Sequence, residues 1–475
     1  MPQIHPLPLA ALGILVACGP GTPAPSTRPL WSDGTHLRDA EGRVAVLRGV
    51  NARVEGVFDV TFDDGRAPLE PIPALTRTDC TRMRALGFDL LRLPINWSGI
   101  EPVRGQFDAA YLARVDATIA CAADAGMFVL VDLHQDAYSK EIGEDGAPRW
   151  AIVPAPTELL GGPLTDLGSR RLSEQVQAAF RTFFDPDDTA GLQEAYGDML
   201  AHVATRWADE PAVIGFELFN EPDTGTAEVD AFHARASERV REAAPEKLVL
   251  FEPPALRNFT DFVPRSAAPV ALDGAVYAPH IYTFVFQPDQ RAFERATPDD
   301  LEASVRGARE EAEAWGTPLL IGEFGVAPID DAAHTRWMQT EAQLHDRYVA
   351  SSAFWLWKEA SQGSWGLFDH DASTGAWTER PLVVAWVSRV HVARIAGTPA
   401  LVESTAQGDA IRVELRPGTA TAAPHQIYVP ERFAGSVVAQ CDGVVIPAPR
   451  EPATGLLEIP CGGVLEVGAT PPGRP

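Results

Sequence analysis

Two short segments of the 475-residue chain hold carboxyls in settings that suggest chemistry. Gly215-Phe216-Glu217-Leu218-Phe219-Asn220-Glu221-Pro222 sets an amide beside the carboxyl of Glu221, and Ile321-Gly322-Glu323-Phe324-Gly325 presents a second carboxyl at Glu323. A pair of opposed carboxyls is the minimum needed to cleave a glycosidic bond, one giving a proton to the leaving oxygen and the other attacking the anomeric carbon. On that reading Glu221 is the acid/base and Glu323 the nucleophile, with carboxyls about 5 to 5.5 Å apart. Arg92 can hold Glu323 ionised and lower its pKa, and the charge on Glu323 should in turn raise that of Glu221. His280 and Tyr282, two apart and therefore on one face of a strand, can orient Glu323 by hydrogen bonds. Asn220 can reach a sugar 2-hydroxyl, and Trp357 can stack on the apolar face of a ring. No metal or organic cofactor is expected, since proton transfer and carboxylate attack supply the chemistry, and the sequence has neither a CxxC nor an HExxH pattern.

These residues need a scaffold that brings distant segments together. From Val44 to Glu359 short apolar runs alternate with amphipathic stretches, the pattern of strand and helix units around a parallel sheet. The runs are Val44 to Ala52, Phe88 to Trp97, Phe128 to Gln135, Val213 to Pro222, Leu248 to Pro253, Ala275 to Tyr282, Leu319 to Val326 and Ser352 to Glu359. Segments such as Ala109 to Ala125 and Gly191 to Ala208 space their apolar residues by three and four, as helices do. Eight such units predict an α/β fold, a (β/α)8 TIM barrel. The alternative, an open doubly wound sheet, usually opens on a glycine-rich turn, which Gly49-Val50-Asn51 is not. Seven of the eight runs end in polar residues: Asn51, Arg92, His134 with Asp136, Asn220 with Glu221, His280 with Tyr282, Glu323, and Trp357. A barrel builds its active site at the C-terminal ends of its strands. After Gly397 short alternating strands such as Ala410 to Arg416 and Gln426 to Val429 predict a small β-sandwich domain over residues 397–475, following a catalytic domain over 30–396. Only Tyr428 and Phe433 are aromatic beyond Ala400, which suits packing better than sugar binding.

Taken together these segments resemble the family 5 glycoside hydrolases, retaining enzymes on a (β/α)8 barrel, and within them are most similar to the endoglycoceramidases. Asn220-Glu221 stands where that family has its Asn and acid/base Glu, and Glu323 in Gly-Glu-Phe-Gly where it has its nucleophile. Arg92 in Leu-Arg-Leu-Pro, His134 in Asp-Leu-His, His280-x-Tyr282 and Trp357 match the remaining common positions. The closer likeness rests on Asp132-Leu133-His134-Gln135-Asp136-x-Tyr138-Ser139 and Gly146-Ala147-Pro148-x-Trp150-Ala151. It implies that Asp132, His134, Asp136 and Trp150 bind the sugar next to the ceramide. One position departs from the family: the loop after the first strand lacks its sugar-contacting Lys and offers Arg53 instead.

The long segment between the third and fourth runs contains Trp150, Leu159-Leu160, Phe180, Phe183 and Phe184, and Phe284-Val285-Phe286 follows Tyr282. Both are expected to line an apolar side of the cleft for acyl chains, unless the lid aromatics form only a core of their own. Three functions are compatible with this reading. The first is an endo-β-glycosidase releasing glycan from ceramide or a similar lipid. The second is a hydrolase of soluble β-glucans, β-mannans or β-glucosides, and the third a noncatalytic glycan-binding surface lipoprotein, which the retention of both carboxyls disfavours.

With 39 basic against 65 acidic residues the net charge is −26, which repels polyanions and excludes a nucleic-acid binder. At 45% hydrophobic and 22% charged residues, the composition is that of a folded globular chain. The apolar run Leu7 to Ala17 falls short of the ~20 residues of a membrane span. With Leu15-Val16-Ala17-Cys18 it resembles a bacterial lipobox, although Met1 to Ala10 carries no Lys or Arg. The expectation is an exported lipoprotein, acylated at Cys18, held at the cell envelope or surface by its lipid anchor and acting as a monomer, with residues 1–29 as signal and tether. The remaining Cys80, Cys121, Cys441 and Cys461 allow two disulfides in an oxidising compartment. Sequence neighbours suggest Cys80 with Cys121 and Cys441 with Cys461, among three connectivities.

Overall fold

The computed structural model describes residues 29–469 apart from 261–265, 267–269, 272, 287–288, 361–364 and 436. Cys18 and the signal expected before it lie outside the described residues. Eight strands form one parallel sheet: β1 (Arg48–Asn51), β2 (Leu90–Ile95), β3 (Phe128–Leu133), β4 (Val213–Glu217), β5 (Leu248–Phe251), β6 (Ala275–Tyr277), β7 (Leu320–Phe324) and β8 (Ser351–Phe354). Their order in the sheet is β7-β8-β1-β2-β3-β4-β5-β6, and parallel bridges from Tyr277 to Leu319 and from Ile281 to Phe324 close it on itself. The sequence LLRLPI of β2 is buried at every position. Strands covered on both faces read as such unbroken apolar runs.

Helices wrap the sheet, and their ends are written in the sequence. Asp108 caps the helix Ala109–Asp124 by accepting from the amides of Ala110 and Tyr111. Thr297 and Asp300 form a capping box on Pro298–Trp315, which Gly316 ends in the left-handed region at φ 72°. The disulfide Cys80–Cys121 joins the helices Arg77–Ala85 and Ala109–Asp124, and Cys441–Cys461 lies in the second domain.

That second domain is an antiparallel sandwich, and both ends of the chain build it. One sheet runs Leu30–Asp33, His36–Asp39, Val44–Ala45, His391–Ile395, His425–Tyr428, Leu456–Ile459. The other holds Pro399–Ser404, Ala410–Leu415, Val464–Ala469, Val437–Cys441 and Val444–Ile446. The expected division at residue 396/397 is therefore corrected. Residues 30–45 and 391–395 pair within the sandwich, Arg394 with Ala45 and Ile395 with Val44, because the hairpin's apolar face is buried there. Leu30, Leu37 and Leu47 then pack against Leu90, Leu130, Leu250 and Leu320, plugging the end of the barrel opposite the site. Tyr428 fastens the two domains, its hydroxyl donating to the carbonyl of Ala85 at 2.7 Å, while Phe433 lies in the sandwich core.

The long connection from β3 to β4 also departs from expectation. Phe180, Phe183 and Phe184 are fully buried among Tyr138, Tyr196, Phe219 and Phe232, ring against ring. They belong to the same apolar core as Ile95, Val131 and Phe216 of the barrel and line no acyl-chain surface. The helix Glu174–Phe183 puts its apolar stripe inward, as an amphipathic helix must.

Candidate active site

Residues two apart on a strand face the same way, and the barrel interior changes character along each strand. Leu90 is followed by Arg92, Leu130 by Asp132, Gly215 by Glu217, Leu250 by Glu252 and Ala278 by His280, all of the polar members being buried. Gly322 continues the layer on β7 without a side chain. A Cβ there would lie 2.9 Å from His280 Nε2 and 3.5 Å from Arg92 Nε, so glycine leaves those two groups their places.

Arg92 is the centre of this layer. It donates through Nε and Nη2 to Glu217 at 2.9 and 2.6 Å, and through Nη1 to Glu323 Oε1 at 2.8 Å and Asn51 Oδ1 at 2.9 Å. Its Nη2 also donates to Asn220 Oδ1 at 2.8 Å, and Asp132 Oδ2 lies 3.1 Å from Nη1. Burial pushes the Glu217 carboxyl up, but the guanidinium outweighs it and holds Glu217 down at about 2. Burial and the charge of Glu217 push its neighbour Glu252 far above the usual carboxylate range. One guanidinium is thus shared among several carboxyls, and the proton affinity of Glu252 is raised by its buried neighbours.

The two carboxyls singled out by their motifs face each other at the mouth of this layer. An oxygen of Glu221, an oxygen of Glu323 and a ring nitrogen of His280 all fall within 4.8 Å of one another. Glu323 Oε2 accepts from the Tyr282 hydroxyl at 2.8 Å. Glu221 Oε1 has His280 Nδ1 at 3.0 Å and Asn258 Nδ2 at 3.3 Å, and Oε2 accepts from Arg171 Nη2 at 2.9 Å. Glu221 adopts φ 44°, a left-handed conformation uncommon for a residue with a side chain. Gln135 fixes that turn. Its Nε2 donates to the carbonyls of Asn220 and Glu221 at 2.6 and 3.0 Å, while Asn220 Nδ2 donates back to the Gln135 carbonyl at 2.8 Å.

The expected order of proton affinities is reversed. Burial raises both carboxyls. For Glu221 the Arg171 guanidinium and His280 more than offset it and bring the group below its ordinary value. For Glu323 burial prevails over His280 and Arg92, and the group lies above its ordinary value. Arg92 is shared with Glu217 and Asp132, which weakens its hold on Glu323, and Arg171 has no signal in the motifs.

Beside the pair, His134 Nδ1 lies 2.6 Å from Asp132 Oδ2, and Asp136 Oδ2 lies 3.7 Å from Nε2. Burial pushes His134 down, yet Asp132 and Asp136 reverse this and raise it well above its usual value. The ring of Trp355 stacks on His134, 11° from parallel and 5.7 Å between centroids. Arg53 stands over Trp355 and Phe58, buried and paired with Glu70 and, at 2.6 Å, with Glu359.

Two expected binding residues are placed elsewhere. Trp357 is buried, its indole donating to Asp79 at 3.1 Å and packing on Phe368, so Trp355 is the aromatic beside the site. Trp150 donates to the carbonyl of Glu101 at 3.0 Å and meets Trp97 edge-on, holding the long connection to the barrel wall. Arg171 and Asn258 were not legible in the motifs; a polar residue far from any strand end gives no pattern to find.

Phe286, 58% exposed, closes the other flank, with its ring on Trp365 at 5.6 Å and 12° and beside Tyr282 and Phe259. The His and carboxylate groups of the site approach closely enough to interest a cation, but Arg92 and Arg171 already supply positive charge to them. Protonation and nucleophilic attack by carboxyls need no metal.

Comparison with known proteins agrees with this arrangement. Residues 70–361 match the family model described as Cellulase (glycosyl hydrolase family 5). Endoglycoceramidase I of Rhodococcus hoagii is 30% identical over 354 residues, 69% of this chain and 68% of the relative. Among solved structures, an endogalactoceramidase superposes with a TM-score of 0.75 at 26% identity, covering 93% of this chain and all of that one. Endo-glycoceramidase II from Rhodococcus sp., in complex with a five-membered iminocyclitol, does so at 0.73 and 25%, covering 92% and 100%. A closed parallel barrel, paired carboxyls at the ends of β4 and β7, and a family match spanning both lead to one conclusion: the chain belongs to glycosyl hydrolase family 5 and is a glycoside hydrolase.

Proposed function

We propose that the protein is a retaining endo-β-glycosidase that cuts between the glycan and the ceramide, or a similar lipid, of glycosphingolipids. Glu221 protonates the glycosidic oxygen while a carboxylate oxygen of Glu323 attacks the anomeric carbon, giving a glycosyl ester and the free lipid alcohol. Glu221 then takes a proton from water, which attacks the same carbon and frees the glycan with its configuration retained. The observation that carries this reading is the approach of Glu221 and Glu323 oxygens within 4.8 Å. Such closeness favours direct attack over the wider spacing, about 6.5 to 9.5 Å, at which inverting enzymes hold a water. Tyr282 and Arg92, each on a different oxygen of Glu323, orient the nucleophile. His134 and Asn220 serve the sugar, Asp132 and Asp136 hold the His134 ring between them, and Trp355 is the apolar platform.

The lipid side of the reading draws support from the likeness to an endoglycoceramidase and an endogalactoceramidase and from the ring shelf of Phe286, Trp365 and Phe259 next to Tyr282. Exposed aromatics beside a reaction centre suit an apolar leaving group better than another sugar's hydroxyls. The protein acts as a monomer at a membrane surface, exported and anchored by acylation of Cys18. Incubation with glycosphingolipids and, separately, with soluble β-glucans and β-mannans, followed by mass analysis, tests the assignment. Intact glycan and ceramide from the lipids are expected. Turnover of the soluble glycans alone would overturn it.

A further inference from the structure

Both oxygens of the acid/base candidate already have partners. Oε1 of Glu221 is held by His280 and Asn258, both buried, and Oε2 by Arg171. A general acid must carry a proton on the oxygen it turns toward the bond it cleaves, and a guanidinium on that oxygen opposes the proton, so the partner there has to leave. Arg171 is the partner built to do so. It ends the short helix Leu167–Arg171, whose preceding residue Arg170 is tied to Asp166 at 2.7 Å and to the carbonyls of Gly161 and Gly143 at 2.9 and 3.3 Å. Gln177 Nε2 holds the Arg171 carbonyl at 3.1 Å. The backbone is pinned, while the side chain, 21% exposed, has a second anion near it: Asp136 Oδ1 lies 3.6 Å from Nη1.

We propose that Arg171 is a two-position latch on the acid/base: before substrate arrives it pairs with Glu221, and as substrate enters it moves onto Asp136, freeing Oε2 for the glycosidic oxygen. The groups facing Glu221 set the consequence. They are Arg171 and Asp136 from the long connection, His280 after β6, Glu323 on β7, and, behind His280, Glu252 at 3.4 Å and Glu217 at 3.9 Å from its Nε2. With the guanidinium gone to Asp136, Glu221 faces the negative charge of Glu323 without its strongest counter-ion and takes up the proton it will donate. The latch therefore couples substrate binding to acid strength and keeps the free enzyme from holding a buried proton donor. Arg171 is a positioning residue, acting through Glu221, and the inference rests on Glu221 being the acid/base.

The test is the pH dependence of hydrolysis of an aryl β-glycoside, since kcat/KM reports the free enzyme and kcat the loaded one. In Arg171→Gln the alkaline limb of kcat/KM should move up by about one pH unit or more, with the kcat limb unmoved and Arg171→Lys close to the parent. Both limbs moving together would mean a fixed ion pair, and neither moving a structural role; either overturns the latch. Asp136→Asn is an independent check should Arg171→Gln not fold. With no second resting place for the guanidinium, its kcat limb should move down, and an unmoved limb overturns the proposal. Glu221→Ala separates the latch from the assignment beneath it. A dinitrophenyl glycoside, which needs little acid, should suffer far less in glycosylation than a phenyl glycoside. Equal losses would remove Glu221 from the acid role, whatever Arg171 does.

Discussion

The Tyr282 hydroxyl donates to Oε2 of Glu323 at 2.8 Å, on the oxygen that Arg92 leaves free. Its own proton is held tightly, because burial and the Glu323 charge raise the phenol well above its ordinary value. Tyr282 therefore serves Glu323 as a donor throughout. A hydrogen bond to a charged group contributes about 1.5 to 3 kcal/mol, so Tyr282→Phe should lower kcat by roughly tenfold to a hundredfold. Steady-state kinetics with an aryl glycoside, beside an unchanged circular dichroism spectrum, checks this.

Arg92 is the buried cation shared by Glu217, Glu323 and Asp132. Removing one partner of a buried ionic cluster leaves uncompensated charge and costs about 3 to 5 kcal/mol. Arg92→Met should thus lose stability as well as activity, seen as a lower midpoint in urea unfolding. A variant as stable as the parent would mean that the cluster carries fewer charges than described.

Glu341 is buried with His345 Nε2 at 3.3 Å, and burial raises its carboxyl well above the ordinary value while pushing His345 well below its own. Because the folded pKa exceeds the unfolded one, the protonated acid's contribution is complete below about pH 4.3 and is lost as pH rises toward the folded value. Glu341→Gln removes that dependence. Relative to the parent, its stability should gain about 1.4 kcal/mol per pH unit across that window, with no gain below it. Urea unfolding at several pH values gives the slope.

Cys80 and Cys121 close a sequence separation of 41 residues between two barrel helices. Constraining the unfolded chain over such a loop is worth about 4 kcal/mol. The double variant Cys80→Ala, Cys121→Ala should melt several degrees lower with little change in kcat, since neither residue touches the site.

Which features were legible from the residues alone follows from how each is encoded. The apolar runs marked β1 to β8 because strands covered on both faces leave no polar alternation, and the Asn-Glu and Gly-Glu-Phe-Gly motifs marked the ends of β4 and β7. Glu217 was legible only as a candidate neighbour, by its alternation with Glu221. The role of Glu252 depends on where β5 sits in the closed barrel. Trp355 and Trp357 differ by two positions, and only the local backbone decides which reaches the cleft. Arg171 owes its place to the packing of a long connection that has no repeat to read. The sandwich boundary was hidden because Val44 and Ala45 pair with a strand some 350 positions later and bring the strands 30–33 and 36–39 with them.

The shelf of Phe286 and Trp365 has its own test. Phe286→Ala and Trp365→Ala should raise KM for a long-chain glycolipid several-fold, as lost apolar burial at about 25 cal/mol per Å² implies, and leave a short aryl glycoside unaffected. Equal changes for both would place the shelf outside the leaving-group path.

The central claim, attack by Glu323 on the anomeric carbon with Glu221 as the acid, is tested most directly by trapping the intermediate. After exposure to a 2-deoxy-2-fluoro β-glycoside with a good leaving group, intact-protein mass should rise by one glycosyl unit, and peptide mapping should put that unit on Glu323. Attachment at Glu221, or turnover that releases the inverted sugar with no covalent adduct, would contradict the account.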